Sequence, residues 1–184
     1  MRRATLLVIV ALCGLALGAT PLGAVTDRTP VAGVLVWAEE KDPGECRANG
    51  NAQCTWPFRT MQVRGAQALH WWEGDAYIHG TNLVTYNFVS TWVCDEAGCK
   101  VTGQLWGTDR WEPDGFDGGW DGTFSFKITS FDEYGFSYSG KAHYQGYGEL
   151  SGKRLVLDVV TDGTVPPWKG SHTVTGYVFT PGDK

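Results

Sequence analysis

Positive charge is scarce in this chain, which holds 15 Lys and Arg against 20 Asp and Glu over 184 residues. The basic residues form no cluster, so the chain lacks the electrostatic attraction that dominates binding to nucleic acids. We therefore expect no nucleic-acid partner. The formal net charge of −5 and the aromatic content of 13% also argue against intrinsic disorder, because disordered chains combine few aromatic residues with a high net charge.

Common catalytic and metal-binding motifs are missing as well. The sequence contains no G-x-S-x-G nucleophile elbow, no Gly-rich phosphate loop and no H-E-x-x-H zinc motif. The acidic residues within 114–121 do not follow the EF-hand order that binds calcium. The His and acidic residues within 70–79 lack the helical spacing that would gather zinc ligands on one face. We therefore expect neither a metal nor a cofactor.

A long apolar run occurs only at the start of the chain. Arg2 and Arg3 precede the apolar residues 6–12, and small residues follow until Pro21 breaks any helix. This is the layout of a secretory signal peptide, whereas a membrane anchor needs a longer apolar stretch. We expect residues 1–24 to be removed and residues 25–184 to form one secreted or periplasmic domain, with no membrane association after cleavage.

Cysteine is rare too, and four cysteines remain after the loss of Cys13 with the signal. An even number in an exported chain indicates disulfides. Cys94 and Cys99 flank a four-residue turn between two β-rich runs, so they face each other across a hairpin. Cys46 and Cys54 enclose a polar loop and form the second favoured pair. Cross-pairing stays open, because the predicted topology places both pairs at one end of the fold.

Helical periodicity does not extend beyond two turns anywhere in the mature chain. Short β-branched and aromatic runs recur instead between Gly, Asp and Pro clusters, and they predict eight strands at 31–39, 60–72, 83–94, 99–107, 120–129, 134–145, 154–161 and 171–180. Each strand has one apolar face, and no helix is available to cover a sheet. We predict an all-β fold, a single antiparallel eight-stranded up-and-down β-barrel, with a two-sheet β-sandwich as the alternative.

One short segment resembles a known family. Gly146, Gly148, Leu150 and Gly152 form a G-x-G-x-apolar-x-G element between two predicted strands. The element resembles one in the late strands of allene oxide cyclase-like and dirigent-like barrels, and of other small calycin-type barrels. The resemblance covers a small part of the chain and implies an eight-stranded antiparallel barrel. It carries no catalytic residue to a matching position, so no activity transfers with it.

The predicted topology brings the loops 73–82, 108–119 and 146–153 together at one end of the barrel. These loops are rich in acidic and aromatic residues, Asp109 among them, and the twelve-residue loop 108–119 has the length and glycine content of a lid. We predict a binding mouth at this end. The alternative is that its Asp-Gly pairs simply make turns.

An eight-stranded barrel either fills its interior with side chains or holds one small ligand, and both alternatives stay open here. The predicted ligand-binding residues combine the mouth and the interior faces of two strands: His79, Trp111, Phe116, Asp117, Trp120, Phe124, Tyr138 and Tyr144. We predict a protein that binds a small apolar or aromatic molecule in its lumen or mouth. One alternative is an isomerase or cyclase of the allene oxide cyclase type. The other is an extracellular interaction or carbohydrate-binding protein that stacks sugars on Trp56, Trp111 and Trp168.

Overall fold

The computed structural model describes residues 27–51, 57, 59–96, 98–132, 135–161 and 172–181. All regular elements in these ranges are strands, as the sequence predicts. The nine strands are β1 (Asp27–Asp42), β2 (Glu45–Ala48), β3 (Thr60–Gly74), β4 (Gly80–Asp95), β5 (Gly98–Trp111), β6 (Gly118–Asp132), β7 (Gly135–Gly148), β8 (Arg154–Val160) and β9 (His172–Thr180). Across the same ranges, no helix has the length and apolar character needed to cross a membrane.

The strands pair antiparallel in chain order and close into a ring, which confirms the predicted antiparallel up-and-down arrangement. The predicted number of eight strands is wrong for the described residues, because the short strand β2 lies in a segment predicted as a loop. Closure depends on β1, which pairs with β9 over residues 27–35 and with β3 over residues 33–42. Within β1, only residues 33–35 pair with both β9 and β3, so the ring is uneven at this strand. After Pro43 and Gly44 the short strand β2 continues along β3, where β1 has ended.

The strands at the predicted mouth are longer than the sequence indicates. β5 extends to Trp111 and β6 begins at Gly118, which leaves a loop of residues 112–117 instead of 108–119. The predicted twelve-residue lid is therefore wrong. Residues 108–111 belong to the sheet because their backbone groups pair with β4 on one side and β6 on the other, with Asp109 opposite Val84 and Gly122.

Interior glycines make room for large side chains of the neighbouring strands. A Cβ at Gly107 would collide with the ring of Phe124, and one at Gly140 with the ring of Phe126. At Gly122 the added atom would meet the ring of Tyr144 as well as the carbonyl oxygen of His143. The aromatic rings of the core thus lie across strand positions that have no side chain of their own.

A disulfide between Cys94 and Cys99 joins the ends of β4 and β5, as predicted, with the two Cα atoms 4.0 Å apart. Cys46 is also disulfide-bonded. Its predicted partner Cys54 lies outside the described residues, so that pairing stays a prediction, as does the signal peptide at residues 1–24.

We predict that Gly122→Ala lowers the free energy of unfolding by about 1–3 kcal/mol, the usual cost of an atom forced into a packed interior. Thr123→Ala is the control, because Thr123 is exposed on the same strand. Urea unfolding of both variants measures the effect. Equal stabilities would show that the ring of Tyr144 is not held against Gly122.

Candidate functional site

A carboxyl group lies inside the barrel. Asp109 is only 4% exposed. Its Oδ1 accepts a hydrogen bond from Asn82 Nδ2 at 2.5 Å, and its Oδ2 accepts one from the Tyr144 hydroxyl at 2.9 Å. These residues belong to β4, β5 and β7, and Tyr144 reaches Asp109 across β6 because Gly122 stands between them. Asp109 was predicted in a mouth loop and is instead an interior residue of β5.

Burial sets the acid–base behaviour of this group. It raises the pKa of Asp109 from its ordinary value of 3.8 to about 7, against the opposing effect of the hydrogen bonds from Asn82 and Tyr144. Burial, and then the nearby carboxyl of Asp109, raises the pKa of Tyr144 well above 10.0. At neutral pH Tyr144 therefore keeps its proton, while Asp109 is able to give or take one.

Two stacked indole rings lie beside the carboxyl. Trp72 and Trp111 are nearly parallel, with ring centroids 5.1 Å apart, and Trp111 meets the ring of Tyr144 edge-on at 4.8 Å. Both tryptophans are almost fully buried. We call Asp109, Asn82, Tyr144, Trp72 and Trp111 the Asp109 cluster.

Within the part of the chain that the structure describes, three polar atoms of the Asp109 cluster are buried without a hydrogen-bond partner. They are the indole nitrogens of Trp72 and Trp111 and the amide oxygen of Asn82. Buried polar groups in native proteins are nearly always paired, and an unpaired one costs about 1–3 kcal/mol. Three of them on neighbouring side chains therefore distinguish this part of the interior from ordinary core.

The connections at the mouth pack against the same hydrophobic core as the tryptophans of the Asp109 cluster. In the β3–β4 connection Ile78 is fully buried, and Tyr77 stacks on Phe116 with centroids 5.4 Å apart. The carbonyl oxygen of Tyr77 accepts a hydrogen bond from Trp120 Nε1 at 2.8 Å, and that of His79 accepts one from the Asp114 backbone at 2.8 Å. We call residues 75–79 and 112–117 the rim.

The predicted site residues fall into separate groups. Trp111, Trp120, Phe124 and Tyr144 are buried in the barrel core, whereas His79, Phe116 and Asp117 belong to the rim. The half-buried Tyr138 lies toward the other end of β7. The structure thus brings Trp111 and Tyr144 together. Asp109, Asn82 and Trp72 complete the Asp109 cluster and were not among the predicted ligand-binding residues.

One individual expectation is corrected. Trp111 is 3% exposed, so it is no stacking platform for sugars; Trp56 and Trp168 lie outside the described residues. The backbone of Asp117 is hydrogen-bonded to Glu149: its N–H donates to a Glu149 carboxylate oxygen at 3.0 Å, and its carbonyl accepts from the Glu149 N–H at 2.8 Å. The ligand-binding role of the Asp117 side chain stays a prediction.

A second group of polar side chains lies in the interior. Thr161 Oγ1 and His172 Nδ1 are 2.7 Å apart, and the rings of Tyr138 and His172 have centroids 4.0 Å apart. Nearby, burial and then the charge of His172 lower the pKa of His70 from 6.5 to about 3. We call these four residues the His172 cluster. His70 and His172 are both buried, and the lowered pKa keeps His70 neutral at physiological pH. Within the described residues no three His, Cys, Asp or Glu side chains are placed to hold a metal ion.

Comparisons with protein-family models, curated proteins and solved structures find no significant match to this chain. The site is therefore interpreted from its own chemistry.

Asp109 and His70 give opposite pH dependences of stability. Because the pKa of Asp109 is raised in the folded protein, protonation of this group stabilises the fold. This contribution to the free energy of unfolding is complete below about pH 4 and is lost as the pH rises to about 7. Because the pKa of His70 is lowered in the folded protein, its contribution to the free energy of unfolding is complete above pH 6.5. That contribution is lost as the pH falls toward 3. From about pH 4 to 6.5 the two slopes oppose each other.

We predict that Asp109→Asn removes one of these slopes. As the pH rises from about 4 to 7, the free energy of unfolding of the variant should increase relative to the wild type by about 1.4 kcal/mol per pH unit. Above pH 7 the difference should stay constant. Glu73→Gln, which removes an exposed carboxyl from β3, is the control. Urea unfolding between pH 4.5 and 8.5 measures the difference. A difference between Asp109→Asn and wild type that does not change with pH would show that Asp109 ionises normally.

Proposed function

We propose that this protein is an extracytoplasmic β-barrel that binds one small apolar or aromatic molecule at the Asp109 cluster, under the rim. The observation that carries the proposal is the group of three buried, unpaired polar atoms next to a carboxyl that titrates near neutral pH. Groups of this kind reduce stability, and perturbed carboxyl groups are concentrated at functional sites.

The surroundings of these atoms suit a flat, mostly apolar ligand. Trp72 and Trp111 offer large aromatic faces, and Phe124 adds another buried ring to the same core. Small-molecule sites typically combine such apolar walls with a few polar groups that fix orientation. The Asp109 cluster supplies both parts.

Access would occur through the rim. Residues 75–79 are attached to the barrel by a small number of hydrogen bonds, among them the one from Ala32 N to Asp75 Oδ2 at 2.6 Å and the one from Trp120 to Tyr77. Displacement of this short connection would remove Ile78 from the core that it shares with Trp72 and Trp111. Loops that open and close over a ligand are a common gating device in small-molecule sites.

The compartment is part of the proposal. The Cys94–Cys99 disulfide supports an oxidising environment, because such bonds are rare in reducing cytosol. Export would follow from the signal-like layout of residues 1–24.

We predict that native mass spectrometry of the gently purified mature protein detects a reproducible added mass that is lost on denaturation. Trp111→Leu should abolish it, because this change removes an aromatic wall of the cluster. Trp106→Leu should retain it, because Trp106 is 37% exposed on the outer face of the same strand. Circular dichroism checks that both variants are folded. A bare native mass for the wild type, together with no thermal stabilisation by a panel of small aromatic compounds, would refute the proposal.

A second candidate function is acid–base catalysis, in the form of an isomerase or cyclase. It is favoured by one observation, the pKa of about 7 for Asp109 beside the hydroxyl of Tyr144, since general acid–base groups work best near the ambient pH. In that case Asp109→Asn should abolish turnover of any bound substrate and leave its binding within a few-fold. Loss of binding and turnover together would assign Asp109 to binding only.

A further inference from the structure

The unpaired atoms of the Asp109 cluster have a definite hydrogen-bonding character. The indole nitrogens of Trp72 and Trp111 are donors only, and the amide oxygen of Asn82 is an acceptor only. The amide nitrogen of Asn82 donates one of its two hydrogens to Asp109. The interior therefore presents two donors and one acceptor that no side chain of the described residues satisfies.

Other buried tryptophans of the barrel do have partners. Trp120 Nε1 donates to the carbonyl of Tyr77 at 2.8 Å, and Trp92 Nε1 donates to Ser90 Oγ at 2.9 Å. The two unpaired indoles are the two that stack on each other. A lack of partners is thus concentrated at one place and is no general property of this core.

The three atoms belong to side chains that meet at Trp111. The ring of Trp72 stacks on the ring of Trp111, and Asn82 is the residue directly opposite Trp111 on the adjacent strand. All three residues are at least nine-tenths buried, with exposures of 2%, 3% and 2% for Trp72, Trp111 and Asn82. The three unpaired atoms therefore belong to neighbouring side chains of one buried region.

The chemistry of a ligand group that would pair with these atoms follows from its hydrogen-bonding capacity. A hydroxyl oxygen accepts two hydrogen bonds and donates one, which matches two indole N–H groups and one amide oxygen. A carbonyl or ether oxygen would leave the Asn82 oxygen unpaired. A carboxylate would add a second buried negative charge near Asp109, and an ammonium group would leave the two indoles unpaired.

We propose that the ligand of this barrel is a neutral hydroxyl compound, a phenol or a compact cyclic alcohol, whose oxygen accepts hydrogen bonds from Trp72 and Trp111 and donates one to Asn82. This inference rests on the proposed function and specifies the ligand class for the same site. An internal water molecule offers the same O–H chemistry, so the experiment distinguishes a ligand hydroxyl from a water.

The test compares phenol, toluene and anisole on the oxidised mature protein by titration calorimetry. Toluene replaces the hydroxyl with a methyl group of similar size, and anisole keeps the oxygen acceptor but lacks the donor. We expect phenol to bind about tenfold or more tightly than toluene, because three hydrogen bonds depend on the hydroxyl, with anisole closer to toluene.

Variants connect the preference to the named atoms. Trp72→Phe and Trp111→Phe keep an aromatic ring and remove the N–H donor, so each should reduce the preference of phenol over toluene several-fold. Trp106→Phe removes an exposed indole from the outer face of the barrel and should leave the preference unchanged. In ¹H–¹⁵N spectra, phenol should shift the indole signals that disappear in the Trp72→Phe and Trp111→Phe variants.

The outcomes separate the two proposals. If toluene binds as tightly as phenol, or if both Phe variants keep the preference, the hydroxyl inference is wrong and the binding function stands. If no compound of this size binds and the native mass is bare, both are wrong. If the two indole N–H protons still show contact with a long-lived water at saturating phenol, water satisfies these atoms and the hydroxyl inference fails.

Discussion

Closure of the ring by β1 is the constraint on which the interior depends. Residues 33–35 are the only part of β1 that pairs with both β9 and β3, and through them the sheet becomes a barrel with no open edge there. Closure removes the interior from water on all sides. It is this removal that raises the pKa of Asp109, lowers the pKa of His70 and gives hydrogen bonds in the interior more weight than hydrogen bonds at the surface.

Much of the fold was predictable because patterns of residues close in the sequence determine it. Alternation along residues 120–129 indicated a half-buried strand, and β6 has that alternation, with Phe124, Phe126 and Ile128 buried. The Cys94–Cys99 spacing indicated a hairpin disulfide, and the bond is present. Both signals involve residues close in sequence, where side-chain period and turn length settle the geometry.

The Asp109 cluster was not predictable in the same way. The end of β5 contains Thr, Asp and Arg, which are typical of a loop, although Leu105, Gly107, Asp109 and Trp111 continue the inward-facing alternation of the strand. That alternation was the available signal. The contact of Tyr144 with Asp109 has no local signature at all, because it depends on the register of β5, β6 and β7 and on the missing side chain at Gly122.

The His172 cluster and the Asp109 cluster differ in how far their polar atoms are hydrogen-bonded. In the His172 cluster, His172 and Thr161 satisfy each other, and the backbone N–H of Tyr138 donates to Thr161 Oγ1 at 3.1 Å. A satisfied network of this kind fixes the arrangement of a core at little cost in stability. The Asp109 cluster, in contrast, keeps three atoms unpaired within the part of the chain that the structure describes. Fold specificity explains a paired network but gives no reason for unpaired donors and acceptors, and recognition of a molecule from outside the chain does give one.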